Sequence, residues 1–283
     1  TIALFDIFIP IMIAFPFVFA LSKSYALDPQ RPLIFAFFVS TIMTISALPI
    51  AARVFHDLNV LKTDLGFLVI SALTVNDVVG WVLFTIALGI FAAEAVSWGF
   101  IFGVFFGTVG FAALTLTAGR SLSTRMFAFL HHKDFPEPGT SLTVTVLLGL
   151  LLGMLTQKIG IHALFGFFIA GVLVGEARSI SEQTRGIISQ LVHSLFVPIF
   201  FTTIGLKIDL FTHVDLFLIV ILCVVGILGR YLGAWLGAYY SKVPGVNRDI
   251  IAIGHTPGGM MEVVVAVLAV KLGLISETVF VAV

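Results

Sequence analysis

The chain has 283 residues, 59% of them hydrophobic and only 11% charged, with 15 basic residues against 15 acidic. A water-soluble domain of ordinary composition carries about a quarter charged residues, so these values exclude a soluble globular protein. A net charge of zero with no basic tract gives no sign of a nucleic-acid partner. The single cysteine, Cys223, excludes an internal disulfide and reads as a small packing residue in an apolar span.

Apolar runs of roughly 20 residues recur along the chain, each long enough to cross a bilayer as a helix. The expected fold class is therefore an all-α polytopic membrane protein. The predicted segments are 2–22, 32–54, 65–93, 97–118, 140–156, 160–176, 190–206, 213–240, 249–271 and a tenth that begins near 276. Segments 160–176 and 190–206 are short and are expected to tilt little or pack inside the bundle. Between the fourth and fifth, 119–137 carries Arg120, Arg125, His131, His132 and Lys133 with Met126, Phe127, Phe129 and Leu130 among them. That pattern predicts an interfacial amphipathic linker. Thr1 opens directly into an apolar run and Val283 closes inside another, so 1–283 is expected to be part of a larger membrane domain with further spans at each end.

Orientation follows from the basic residues of the loops. Arg53, Lys62, Arg120, Arg125, Lys133, Arg178, Arg185, Lys242 and Arg248 fall in alternate loops, against Lys23, Arg31, Lys158, Lys207 and Lys271 in the others, nine to five. The first segment then runs outward, the second inward, and the third outward with Asp77 near its midpoint.

Two segments carry helix breakers. The second contains Ser40-Thr41-Ile42-Met43-Thr44-Ile45-Ser46-Ala47-Leu48-Pro49, and the ninth contains Gly254-His255-Thr256-Pro257-Gly258-Gly259-Met260-Met261-Glu262. Proline removes a backbone donor and strains the preceding turn. Carbonyls freed at membrane depth need hydroxyls or a cation as partners. Either break alone could be a simple kink. The pair says more, because segments within 1–95 and within 212–283 form two triplets of opposite orientation with interrupted middle members. Interruptions at matching positions of two inverted halves point to the site of a secondary transporter, with the two broken helices crossing near the midplane.

The buried charges fall near this crossing. Asp77 follows Asn76 deep in the third segment, and a carboxylate there is rarely kept unless it carries an ion or a proton. The alternative is a structural carboxylate neutralised by Arg230. Such a group can bind a proton or a monovalent cation but not both, which suffices for exchange if access alternates. Asn76 offers a carbonyl ligand and an amide donor without a second charge, or simply packs. One titrating carboxylate suggests one proton per cation, hence electroneutral exchange. Arg230, between small residues in Gly229-Arg230-Tyr231-Leu232-Gly233, stays protonated and reads as a fixed counter-charge to Asp77, Asn76 or Glu262. Glu262 follows the second break and reads as its charge partner. Ser46, Thr44 and Thr256 are candidate oxygen ligands, or bond back within their own helices. His162, His193 and His255 read as packing residues, with His255 bordering the break. Asp6 lies near the cytoplasmic end of the first segment, where a solvated carboxylate costs little.

These residues resemble a known family. Asn76-Asp77, the Ser/Thr-rich span running into Pro49-Ile50-Ala51-Ala52-Arg53-Val54-Phe55, and Gly160-Ile161-His162-Ala163-Leu164-Phe165-Gly166 are similar to monovalent cation:proton antiporters. The branch is the one that includes plant and fungal cation/proton exchangers and bacterial potassium efflux transporters. Pro198-Ile199-Phe200-Phe201, Gly205-Leu206-Lys207 and Gly229-Arg230-Tyr231-Leu232-Gly233 also fit. The resemblance covers essentially the whole chain. It implies an inverted-repeat antiporter fold of thirteen helices, a homodimer through helices missing from this chain, and an elevator-like movement of the core. It implies that Asp77 carries the ion or proton and that Arg230 is the family's basic residue. Many electrogenic relatives have two aspartates where this chain has Asn76-Asp77, in line with electroneutral exchange. Where many relatives have an arginine-glycine pair, this chain reads Thr256-Pro257-Gly258-Gly259, so the role of Glu262 does not carry over directly.

The expected function is exchange of sodium or potassium for protons by alternating access. The partners are those cations, protons and the lipid bilayer, with no cofactor and no enzymatic chemistry, in the plasma (inner) membrane. A ligand-gated potassium efflux system or channel on the same scaffold is the alternative. An intramembrane protease using Asp77 and Glu262 would leave the inverted broken helices without a purpose. No Gly-x-x-x-x-Gly-Lys phosphate loop is present to drive transport by ATP.

Overall fold

Proline, glycine and short capping side chains decide where the helices of this chain begin and end. The structure is a computed structural model that describes residues 1–92, 98–133, 135–159, 163–177, 179–207, 212–242 and 245–283. Every regular element among them is helical. In chain order they are α1 (Ile2–Tyr25), α2 (Pro32–Ile42), α3 (Leu48–Asp57), α4 (Asp64–Ala92) and α5 (Trp98–Leu114). A π-helical turn over Thr115–Gly119 leads into α6 (Arg120–His132), followed by α7 (Gly139–Ile159), α8 (Ala163–Glu176) and α9 (Glu182–Leu191). A second π-helical turn over Val192–Phe196 leads into α10 (Val197–Lys207). The chain closes with α11 (Leu216–Ser241), α12 (Arg248–His255), α13 (Met260–Lys271) and α14 (Glu277–Ala282).

Among the described residues, five helices are long and apolar enough to cross a membrane: Ile2–Tyr25, Asp64–Phe91, Gly139–Ile159, Glu182–Thr203 and Leu216–Ser241. The protein is an integral, multi-pass membrane protein. The segments expected at 32–54 and 249–271 are each two helices, α2 with α3 and α12 with α13. Two boundaries differ from the sequence reading. The helix expected at 190–206 starts at Glu182, because the Ser181 hydroxyl accepts the Thr184 N–H at 3.1 Å and caps it. The segment expected to stop at 118 continues through the π-helical turn into α6, since no proline follows until Pro136. Gly160, Ile161 and His162 of the resemblance motif, and Arg178 of the loop count, lie outside the described residues.

The chain divides into two units. The first comprises Thr1–Ala87 and the described residues from 212 to Val283. Its central contact is α1 against α11. Gly229, Gly233 and Gly237, spaced four apart on α11, face Pro10, Phe5 with Asp6, and Ile2 of α1. A Cβ on Gly233 would lie 2.8 Å from the Phe5 carbonyl oxygen, and one on Gly237 would lie 2.7 Å from Ile2 Cα. Small residues at this spacing let helix backbones meet directly, as membrane helices commonly do. At one end of this unit Ile2, Ala3, Phe55, Val69, Leu73, Ala238 and Ile251 form an apolar cluster. The second unit covers Leu88–Lys207. There Gly166 of α8 lies directly against the backbone of Leu152 and Gly153 in α7. Phe127 of α6 is buried with Val174, Ala177 and Ile180. Both units matter for the fold, but every candidate site residue belongs to the first.

Candidate ion-exchange site

The two interruptions are where the backbone leaves its own hydrogen-bond ladder. The first covers Met43–Ala47 and the second Thr256–Gly259. Pro49 falls in the first turn of α3, where a missing N–H costs nothing, so the break lies upstream of it. Each freed group within a membrane must find a partner in the protein. Ala47 N–H donates to the Pro257 carbonyl at 3.0 Å, which joins the two interruptions directly. Gly259 lies against Ala47 so closely that a Cβ there would overlap the alanine methyl. Ser46 N–H points to Asn76 Oδ1 at 3.4 Å.

Arg230 fastens both interruptions from α11. Its Nε donates to the Met43 carbonyl at 2.7 Å and its Nη1 to the Thr256 carbonyl at 3.2 Å. Its Nη2 forms an ion pair with Glu262 Oε1. Of the three partners considered from sequence, Glu262 is therefore the one that contacts it. Glu262 Oε2 also accepts the Gly259 N–H at 2.9 Å, so one carboxylate caps the start of α13 and offsets the guanidinium. A planar fork with several donors suits this task, whereas a lysine would supply a single point charge. A cavity of about 150 Å³ opens beside the pair, lined by Met43, Cys223, Gly226, Arg230, Thr256 and Glu262. Cys223 is exposed on this side rather than packed, contrary to expectation.

Asn76 and Asp77 sit midway along α4 and are 0% and 7% exposed. Asn76 Nδ2 donates to Asp6 Oδ2 at 2.8 Å. Asp6 is the correction the structure makes: expected to be solvated at a helix end, it is 0% exposed. Two neighbours enclose it: Gly233 of α11 lies against Asp6 Cα, and Asn76 of α4 meets the carboxylate. Among the described residues, Asp6 Oδ1, Ser46 Oγ and Asp77 Oδ1 are buried without a hydrogen-bond partner. Leaving one such atom unpaired costs about 1–3 kcal/mol, and Asp6 and Ser46 are linked through Asn76. Thr44 and Thr256 donate back to the Thr41 and Ala252 carbonyls, at 2.8 and 2.9 Å, which leaves only their oxygen lone pairs to face a ligand. His255 is fully buried, with Nδ1 2.8 Å from the Ile251 carbonyl and Nε2 without a partner among the described residues. His193 lies on the exposed surface of the second unit, 2.8 Å from the Ser189 carbonyl.

Several membrane-spanning helices, two interrupted segments in contact and fastened by the Arg230–Glu262 ion pair, and the buried carboxylates Asp6 and Asp77 define a polytopic membrane protein organised around broken helices. The chain belongs to the sodium/hydrogen exchanger transmembrane family, whose match covers residues 4–283. It is 30% identical over 292 residues to Cation/H(+) antiporter 17 of Arabidopsis thaliana, an alignment covering 99% of this chain and 34% of that protein. It is 28% identical to the Na(+)/H(+) antiporter NhaS4 of Synechocystis, covering 95% of this chain and 68% of that protein. It is 24% identical to K(+)/H(+) antiporter 1 of Saccharomyces cerevisiae, covering 87% of this chain and 29% of that protein. The chain thus spans about a third of the plant and yeast relatives and about two thirds of the cyanobacterial one.

Proposed function

We propose that this chain is the core of a secondary antiporter that exchanges a monovalent cation, sodium or potassium, for a proton. The observation that carries the reading is the buried Asn76-Asp77 pair on α4, with Asn76 joined to the first interruption through Ser46. Asp77 is the carrier, taking a proton in one half of the cycle and a cation in the other. Asn76, Ser46, Thr44 and Thr256 supply oxygen ligands. Arg230 and Glu262 compensate each other and hold the interruptions together. Replacing one cation by one proton leaves the charge of the buried site unchanged, which favours electroneutral exchange in a medium that penalises net charge. The relatives' printed names, which specify sodium/proton and potassium/proton antiport, support this reading over a channel.

In the same reading 1–95 and 212–283 are inverted repeats whose broken helices cross, 119–137 is the interfacial linker, and the protein works as a homodimer in the plasma membrane without a cofactor. The direct test is transport by purified protein in liposomes containing a pH-sensitive dye. Adding sodium or potassium moves protons even when the membrane potential is clamped to zero, and Asp77→Asn abolishes the signal. An Asp77→Asn protein that transports like the wild type would overturn the carrier assignment.

A further inference from the structure

We infer that Asp6 is a cation ligand of the exchange site and, with Ser46, determines which alkali cation that site accepts. The inference rests on the antiport reading above and deepens it. It starts from an anomaly of burial. A carboxylate with no exposure normally has both oxygens satisfied. Asp6 has one: Oδ2 receives the Asn76 amide at 2.8 Å, while Oδ1 is buried without a partner among the described residues. Ser46 Oγ is unpartnered among the described residues too, and the Ser46 N–H points to the same Asn76 that holds Asp6. Asn76 Oδ1 is held only by a long contact of 3.4 Å to Ser46 N–H, so its lone pairs are largely free. A carboxylate, a hydroxyl and an amide oxygen from α1, the first interruption and α4 thus share one dry region. These are hard oxygen donors, the kind alkali cations take.

Arg230 does not close this site. Its Nε, Nη1 and Nη2 are given to Met43, Thr256 and Glu262. Its ion pair is with Glu262, so Asp6 Oδ1 has no cation in contact with it among the described residues. The geometry also orients the ligand set. A carboxylate can only accept, so it holds the Asn76 amide with the NH2 toward α1 and the oxygen toward the interruption. Asp6 therefore acts on the cation directly through Oδ1. Ser46, on non-helical backbone, sets the width of the cage.

The test uses full-length protein in liposomes with sodium or potassium as the varied cation, alongside melting in detergent with sodium, potassium or choline chloride. Asp6→Asn keeps an acceptor for Asn76 but removes the charge. It is expected to raise the half-saturating cation concentration about tenfold or more. It should also abolish the rise in melting temperature that sodium or potassium gives the wild type over choline. Ser46→Ala, which keeps the backbone N–H, is expected to change the sodium-to-potassium preference by about threefold or more. The inference falls if Asp6→Asn retains wild-type half-saturation and cation-dependent melting, or if its defect is confined to the maximal rate. Should Asp6→Asn fail to fold, an unchanged ion preference in Ser46→Ala overturns the proposal. Asp77→Asn separates the two levels. If it transports normally, the antiport reading itself is wrong. If it is inactive while Asp6→Asn behaves as wild type, only the role of Asp6 is lost.

Discussion

Replacing Arg230 by alanine tests the fastening between the two interruptions. The change strands Glu262, whose side chain is 12% exposed, and frees the Met43 and Thr256 carbonyls. Removing one partner of a buried ion pair costs about 3–5 kcal/mol, mostly because the remaining charge stays desolvated. The adjoining cavity of about 150 Å³ has room for water to reach Glu262, so the lower end of that range, about 3 kcal/mol, is expected. Arg230→Ala combined with Glu262→Gln removes the stranded charge while an amide oxygen can still cap Gly259. The double variant should recover more than half of the loss. The assay is unfolding in mixed micelles titrated with a denaturing detergent, with transport measured on the same preparations. Arg230→Ala should lower stability strongly and leave the sodium-to-potassium preference nearly unchanged. An Arg230→Ala protein as stable as wild type, or a double variant no better than the single, would refute the reasoning.

Three further outcomes are expected. Gly237→Ala puts a methyl 2.7 Å from Ile2 Cα and should cost about 1–3 kcal/mol by forcing α1 from α11. Gly171→Ala on α8, where a Cβ meets nothing within 4 Å, should be neutral or slightly stabilising in the same unfolding assay. Equal losses at both positions would contradict the direct backbone contact. Tyr25→Phe addresses the start of α11, where Tyr25 donates to Asp215 Oδ2 at 2.6 Å and Leu218 N–H donates to Oδ1 at 3.1 Å. The Tyr25 hydroxyl first, then the Leu218 N–H, holds the Asp215 carboxyl below its ordinary value. A depressed folded-state pKa contributes stability above the ordinary carboxylate range, and that contribution disappears as pH falls through the folded value. The melting difference between wild type and Tyr25→Phe should therefore be present near neutral pH and shrink in acid; a pH-independent difference would count against it.

Much of the scaffold could be read from residue order because its signals are local. Pro49 and Pro257-Gly258-Gly259 mark both interruptions, and the depth of Asn76-Asp77 in an apolar run marks the candidate site. The partner of Arg230 stayed open among three residues, because choosing among them requires knowing which carbonyls face it. Asp6 was placed wrongly for a similar reason. Its depth was judged from its distance to the end of its own helix, whereas it is enclosed by Asn76 of α4 and by Gly233 of α11, the latter more than 200 residues away in sequence. A clue was available in Gly229, Gly233 and Gly237, a stripe that must abut another backbone; α1 is what it abuts. The early start of the helix at Glu182 was missed because the polar turn Glu182–Arg185 reads as loop unless the Ser181 cap is recognised.

The same stripe governs how this half of the molecule can move. Where two helices touch through side chains, rotamer changes let them slip by a fraction of a turn. Along Gly229, Gly233 and Gly237 there is no such cushion, so sliding drives one main chain into the next. The acid on one helix and the base on the other consequently keep their mutual height like teeth cut from one block.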